Sequence, residues 1–262
     1  MRPLSDKTAL VTGASSGIGM AVARSLAREG CRLILLARRR ERLSDLAAQL
    51  KQEQDCESAA VVVDVRRRTD LLKALEALPE GWKAIDLLVN NAGLSRGLEP
   101  IHAGDPDDWD EMIDVNVKGL LWVTKWVVTG MLKRGSGHVI NIGSIAGYET
   151  YPGGVVYCAS KFAVRALTRG LKMDLQGTPI RVTAVDPGLV ETEFSLVRFK
   201  GDTARAKIPY QGLKPLTGED IAEAVVWCAT RPAHVNVMNV TLFPTAQASA
   251  QMVHREPSQE TG

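Results

Sequence analysis

Tyr157 and Lys161 stand four positions apart in Tyr157-Cys158-Ala159-Ser160-Lys161. On a helix, that spacing puts both side chains on one side. An ammonium beside a phenol stabilises the phenolate and lowers a pKa that is ordinarily about 10. A phenol tuned toward neutrality can give or take a proton at an alcohol or carbonyl oxygen. Ser144 closes the run His138-Val139-Ile140-Asn141-Ile142-Gly143, and its hydroxyl can hold that same oxygen. Tyr-x-x-x-Lys alone also describes a surface tyrosine beside a solvated lysine, so this chemistry needs support from the rest of the chain.

A second site precedes it. Thr8-Ala9-Leu10-Val11-Thr12 reads as a short buried strand and runs into Gly13-Ala14-Ser15-Ser16-Gly17-Ile18-Gly19, then into a helical pattern through Glu29. A strand, a glycine turn and a helix start suit a dinucleotide pyrophosphate. Glycines permit the tight turn and close backbone approach, and the helix amino terminus attracts the anion. Arg38 and Arg39 follow the second strand, where a site for an unphosphorylated ribose would carry an acid. They can grip a 2′-phosphate through charge-assisted bonds, or pair with Glu41 and Asp45. Cations at a helix amino terminus oppose the helix dipole, which favours a bound anion and hence NADP(H).

These residues need a scaffold, and the chain supplies one. Strands are expected at 8–12, 32–37, 59–63, 86–90, 137–143, 180–185 and 237–243, with helices between them. Near-continuous apolar strands separated by helices indicate an α/β fold, a doubly wound parallel sheet of about seven strands with helices on both faces. At 262 residues one such domain can bury roughly 70–75% of its unfolded surface. The expectation is one domain over 1–245 and a loosely ordered tail over 246–262, rich in Gln, Ser, Glu and Thr. Trp109 to Leu132 reads as a single helix, apolar on more sides than one sheet can cover.

Composition narrows the function. Net charge is +2 and the basic residues are scattered, so neither nucleic acid nor an acidic membrane is called for. No apolar run reaches membrane-spanning length, and the amino terminus has no signal-peptide core. Cys31, Cys56, Cys158 and Cys228 lack metal-ligand spacing, and His102, His138, His234 and His254 form no ligand cluster. No metal is expected, and the reduced thiols fit the cytoplasm.

Taken together, the chain resembles the short-chain dehydrogenase/reductase family over nearly its whole length. Thr12 to Gly19 matches the cofactor motif, and Asn90-Asn91-Ala92-Gly93 the motif after the fourth strand. Asn116, Ser144, Tyr157 and Lys161 match the catalytic tetrad, and Pro187-Gly188 with Thr192 the motif after the sixth strand. The resemblance implies a Rossmann-type fold and hydride transfer between a nicotinamide and a small alcohol or carbonyl substrate. In it Tyr157 is the acid or base, Lys161 lowers its pKa and holds the nicotinamide ribose, Ser144 orients the substrate oxygen, and Asn116 holds a water that links Lys161 to solvent. Asp64, Val65, Asn91, Ala92, Gly93, Pro187, Gly188, Val190 and Thr192 become cofactor contacts. It also implies a homotetramer or dimer through helices 109–132 and 153–176.

A narrower resemblance is to the NADP-dependent 3-hydroxy acid dehydrogenases, carried by Gly97-Leu98-Glu99-Pro100, Thr192-Glu193-Phe194-Ser195, Val197 to Asp202 and Pro232 to Asn236. Pro187 to Thr192 departs from that group by one residue in length and by Glu191, and Arg96 replaces an apolar residue. Residues 189–213 are expected to form a lid over the substrate, with Arg198 the anchor for a carboxylate and Glu149 and Tyr151 lining the pocket. The alternatives are a general carbonyl reductase and a non-catalytic NADP-sensing protein.

Overall fold

Strand side chains alternate between two apolar layers. Ala9, Val11, Leu33, Leu35 and Val89 enter one, while Leu10, Ile34, Leu36 and Leu88 enter the other. Successive strand residues point to opposite faces, so strands covered on both faces must be apolar at every central position. A computed structural model describes residues 3–256. The strands are β1 (Thr8–Thr12), β2 (Arg32–Ala37), β3 (Ser58–Val62), β4 (Leu87–Asn90), β5 (Gly137–Ile142), β6 (Ile180–Pro187) and β7 (Asn239–Leu242). All pair in parallel, in the order β3-β2-β1-β4-β5-β6-β7. The direction of winding reverses between β1 and β4, where open α/β sheets bind ligands at the carboxyl ends of their strands.

Among the described residues the helices are α1 (Gly17–Arg28), α2 (Arg40–Gln54), α3 (Arg68–Glu76), α4 (Pro106–Ile113), α5 (Leu120–Arg134), α6 (Val155–Asp174), α7 (Phe194–Arg198), α8 (Thr203–Lys207) and α9 (Gly218–Ala229). Helices α1, α2 and α9 bury Leu26, Leu43 and Ile221 on one side of the sheet. Helices α3, α5 and α6 bury Leu71, Val123 and Cys158 on the other. Each fully buried leucine adds about 1.5–3 kcal/mol over an exposed one. A buried polar chain also ties this second layer together under the site. Asn90 Nδ2 donates to Thr124 Oγ1 (2.8 Å) and Asn141 Oδ1 (2.9 Å), and Asn141 Nδ2 donates to Thr168 Oγ1 (2.9 Å). It joins β4, β5, α5 and α6, and leaves Asn90 Oδ1 buried without a partner.

The helix expected at 109–132 forms, but it starts earlier and carries a π turn inside it. Asp105 accepts from Asp107 N and starts α4 with Pro106 in its first turn, earlier than expected. A π-helical stretch, Asp114–Gly119, then separates α4 from α5. A widened turn leaves the apolar pattern unbroken, so the sequence carries no mark of it. Such turns recur at functional sites, and this one contains Asn116. Parts of α5 and α6 remain uncovered: Leu121, Leu132, Val155, Phe162 and Met173 are 38–70% exposed.

The tail also differs from expectation over the residues described. Gln247 Oε1 accepts from Leu189 N (2.9 Å), Ala250 N donates to Glu149 Oε2 (2.8 Å), and Glu256 N donates to Gly212 O (2.7 Å). A polar composition suggests disorder only when nothing pairs with it. Here residues 246–256 find backbone partners in the loops after β5 and β6. Residues 257–262 lie outside the described residues.

Candidate active site

The carboxyl ends of β1, β4, β5 and β6 open into one cleft of about 610 Å³. Gly13, Ser15, Ser16, Gly17, Ile18, Arg38, Arg39, Asp64, Val65, Asn91, Ala92 and Gly93 line it near the glycine turn. Ser144, Tyr157, Lys161, Pro187, Gly188, Val190, Thr192 and Arg198 line it at the other end. Three expected residues do not line it. Gly19 lies beneath, where a Cβ would come within 2.3 Å of Gly13 O, so it permits helix and turn to close. Asn116 is buried behind Lys161. Glu149 uses its carboxylate on Ala250 N and faces the tail, whereas Tyr151 does line the cleft.

The glycine turn suits a dinucleotide. Gly13 and Gly17 have φ of +67° and +52°, and a Cβ on Gly13 would meet Asn91 Nδ2 at 2.9 Å. Arg39 folds back over this turn, donating to Ser15 Oγ (3.1 Å), Ser16 Oγ (2.6 Å) and Glu193 Oε2 (2.9 Å). Arg38 lies 3.8 Å from Asp64 and 3.9 Å from Glu111. The observed partners of these arginines are therefore distant acids, not Glu41 and Asp45. Burial acts to raise the Asp64 carboxyl, but the Arg66 guanidinium overrides it and holds the group below its ordinary value. Burial likewise opposes, and Arg42 and Arg39 override, at Glu193.

At the reacting end, α6 delivers Tyr157 and Lys161 to the same side, as their spacing requires. Lys161 Nζ donates to Ile142 O (3.0 Å) and lies 6.0 Å from the Tyr157 ring centroid. Asn116 donates to Leu94 O (2.8 Å) and Ser160 Oγ (3.0 Å) and accepts from Leu94 N (2.9 Å). Its amide thus fixes the loop after β4 against α6.

Burial sets the electrostatics of this end of the cleft. Burial dominates Tyr157 and pushes the phenol up; nearby Tyr151 adds to this, and Arg198 and Ser144 pull down. Burial pushes Lys161 itself down to about 8, with Asp186 acting against that fall. The cation closest in effect to Tyr157 is Arg198, whose Cζ lies 5.3 Å from the ring centroid. Phe194 closes the far side edge-on, at 5.6 Å and 60°.

Arg198 sits at the end of α7 and donates to Tyr151 Oη (2.9 Å), while its Nε is buried without a partner. Arg96, a departure noted in the sequence, lies outside the cleft. It donates to Glu111 Oε2 (2.7 Å) and to Val197 O, and so holds the carboxyl end of α7 from below. Glu191 is also absent from the cleft lining. Sequence reasoning passed over Glu193, Phe194 and Asp186. The first two stand in the quoted stretch Thr192 to Ser195, and Asp186 precedes Pro187-Gly188, so adjacency was the available signal. His138 needs no catalytic role: its Nε2 lies 2.8 Å from Thr183 Oγ1, and burial pushes it down to about 3, leaving it neutral.

Such a fold with such a cleft defines a nucleotide-dependent oxidoreductase class, and comparison with known proteins agrees. Residues 7–201 match the short chain dehydrogenase family, and the chain belongs to that family. It is 48% identical over 248 residues to an NADP-dependent 3-hydroxy acid dehydrogenase of Salmonella typhi, covering 94% of this chain and 98% of that one. It is 46% identical over 249 residues to sulfoacetaldehyde reductase 2 of Chromohalobacter salexigens, with 94% and 98% covered. Its structure superposes on the closed form of a serine dehydrogenase complexed with NADP+ with a TM-score of 0.88 and 46% identity, covering 95% of this chain and 100% of that chain. No group of three or more metal-ligating side chains occurs among the described residues, and no described helix is long and apolar enough to cross a membrane.

Proposed function

We propose that the chain is an NADP(H)-dependent oxidoreductase that interconverts a small 3-hydroxy acid and its semialdehyde or keto form. NADP(H), when bound, supplies or accepts the hydride. Gly13 to Ile18 would hold its pyrophosphate, and Arg38 and Arg39, which line the same cleft, would read its 2′-phosphate. In reduction Tyr157 gives its proton to the substrate oxygen, and in oxidation it takes the proton back. Ser144 orients that oxygen. Lys161 holds the nicotinamide ribose and adds positive charge near the phenol as it ionises. Residues 189–213 serve as the lid, and α7, which lines the cleft with Phe194, Ser195, Val197 and Arg198, carries the substrate contact.

Arg198 carries the substrate assignment. A half-buried guanidinium beside the Tyr157 ring, whose buried Nε has no partner, is a poor arrangement unless an anion joins it. Hydroxy acids and sulfoacetaldehyde, the substrates named for the two relatives, both carry such an anion. Arg198→Met is the test, on a 3-hydroxy acid and a matched neutral alcohol. Loss of a charged hydrogen bond worth about 1.5–3 kcal/mol predicts a KM for the acid raised roughly tenfold to a hundredfold, with the neutral alcohol little changed. Equal effects on both substrates, or no turnover of hydroxy acids by the wild type, would leave a general carbonyl reductase.

The exposed apolar residues of α5 and α6 support self-association through these helices, as a tetramer or dimer. Four free, buried cysteines suit the reducing cytoplasm.

A further inference from the structure

Asp186 is a carboxylate 2% exposed at the end of β6, beside the reacting end of the cleft but outside its lining. Its Oδ1 accepts from Ser144 N (3.1 Å). Its Oδ2 accepts from Tyr148 Oη (2.7 Å) and from Asn239 Nδ2 on β7. Gly143 is glycine for a reason visible here: a Cβ would come within 1.8 Å of Asp186 Oδ1. The carboxylate and Lys161 thus brace neighbouring points of one strand end. Lys161 holds Ile142 O, and Asp186 holds Ser144 N, on either side of Gly143.

We infer that Asp186 is a positioning residue for the reaction, fixing Ser144 through its backbone and serving as the buried counter-charge to Lys161. A buried carboxylate is costly unless donors and charge compensate it. The groups facing Asp186 supply both. Tyr148 donates from the turn after β5, with Arg165 of α6 stacked 3.9 Å from its ring. Lys161 faces it from α6, and Asn239 from β7, where Thr241 also approaches Tyr148. Lys161 in turn faces Tyr157 and, across Gly93, Asn116. Burial pulls Lys161 toward neutrality and Asp186 opposes it, so removing the carboxylate makes Lys161 lose its proton at lower pH.

Asp186→Asn keeps the shape and removes the charge. In the reductive direction the alkaline limb of log kcat against pH should move down by about one unit, and the Lys161 side-chain NMR titration should move with it. Asp186→Glu restores a charge and should return the limb toward its original position. Tyr148→Phe removes a donor but leaves the charge, and should leave that limb in place. A folded Asp186→Asn protein with an unmoved limb and an unmoved Lys161 titration overturns the inference. Should Asp186→Asn fail to fold, Asn239→Ala takes its place. It strips one donor from the carboxylate, which should then take up its proton at higher pH and raise the acid limb. An unmoved acid limb also overturns the inference. The inference rests on Tyr157 and Lys161 as the reacting pair, and the two fail separately. A fully active Tyr157→Phe removes that pair, whereas an inactive Tyr157→Phe beside an unshifted Asp186→Asn removes only the role of Asp186.

Discussion

The two ends of the cleft solve opposite problems. At the glycine-turn end, Arg39 and Arg42 pair with Glu193 through side chains 37–47% exposed, and Arg38, 53% exposed, lies 3.8 Å from the more buried Asp64. At the reacting end, Tyr157 and Lys161 are 8% and 7% exposed, and burial governs their protonation. Exposed pairs are weak, screened and readily exchanged, so an anion can enter among them at little cost. Buried groups cannot exchange partners in that way. The cofactor end is therefore suited to recognition by substitution of charges, and the reacting end to chemistry set by fixed neighbours.

The largest effect should fall at the buried end. Tyr157→Phe keeps the ring against Phe194 and removes the proton, so turnover should drop at least about 10²-fold with cofactor affinity nearly kept. Steady-state kinetics beside cofactor titration would separate the two, and turnover near wild type would break the assignment. Lys161→Ala should damage both quantities, since the proposed mechanism has Lys161 hold the nicotinamide ribose and charge the phenol's surroundings.

Next in size comes the exposed end. Arg38→Ala combined with Arg39→Ala should weaken NADPH by roughly tenfold to a hundredfold per lost charged hydrogen bond, and NADH much less. Equal weakening of the two cofactors would mean that these arginines do not read the 2′-phosphate. Ala37→Asp should shift preference toward NADH by placing an acid near the ribose hydroxyls.

A pH profile sharpens the contrast further. Lys161 is pushed down to about 8, so it is charged below that value and neutral above it. Reductive turnover should hold on the acid side of about 8 and decline above it. A profile flat well into the alkaline range would show that Lys161 stays charged despite its burial.

The smallest effect belongs to Glu193→Gln. Removing the carboxylate frees Arg39 and Arg42 for the cofactor, and exposed pairs of this kind are worth about 0.2–1 kcal/mol. NADPH should bind at most about fivefold tighter by fluorescence titration, and the gain should fade at high salt. A gain unaffected by salt would place Glu193 on the buried side of the comparison.

Much of this was legible in the chain. Alternating apolar layers identified all seven strands to within two residues at each end, because strands covered on both faces are apolar throughout. The glycine turn and the Tyr157–Lys161 spacing are local geometry, and local geometry is written in local sequence. The π turn inside helix 109–132 was not legible, because a helix apolar on most sides hides a change of phase. Glu149 failed because position in a loop near Ser144 says nothing of direction, and its direction is set by Ala250, a hundred residues away. The tail was misread over 246–256 for the same reason, since its partners Leu189 and Gly212 are remote in sequence.

By itself the sequence determined the sheet, the glycine turn, the pairing of Tyr157 and Lys161 on one helix face, and the family. Those depend on periodicity and on spacings within a single element. Tertiary structure alone decided which charges meet: Arg39 with Glu193, Arg96 with Glu111, and Asp186 with Ser144 and Tyr148. It also decided that burial, rather than Lys161, dominates the Tyr157 phenol. A pKa reflects the surrounding medium, and that medium exists only once strands distant in sequence have closed around the group.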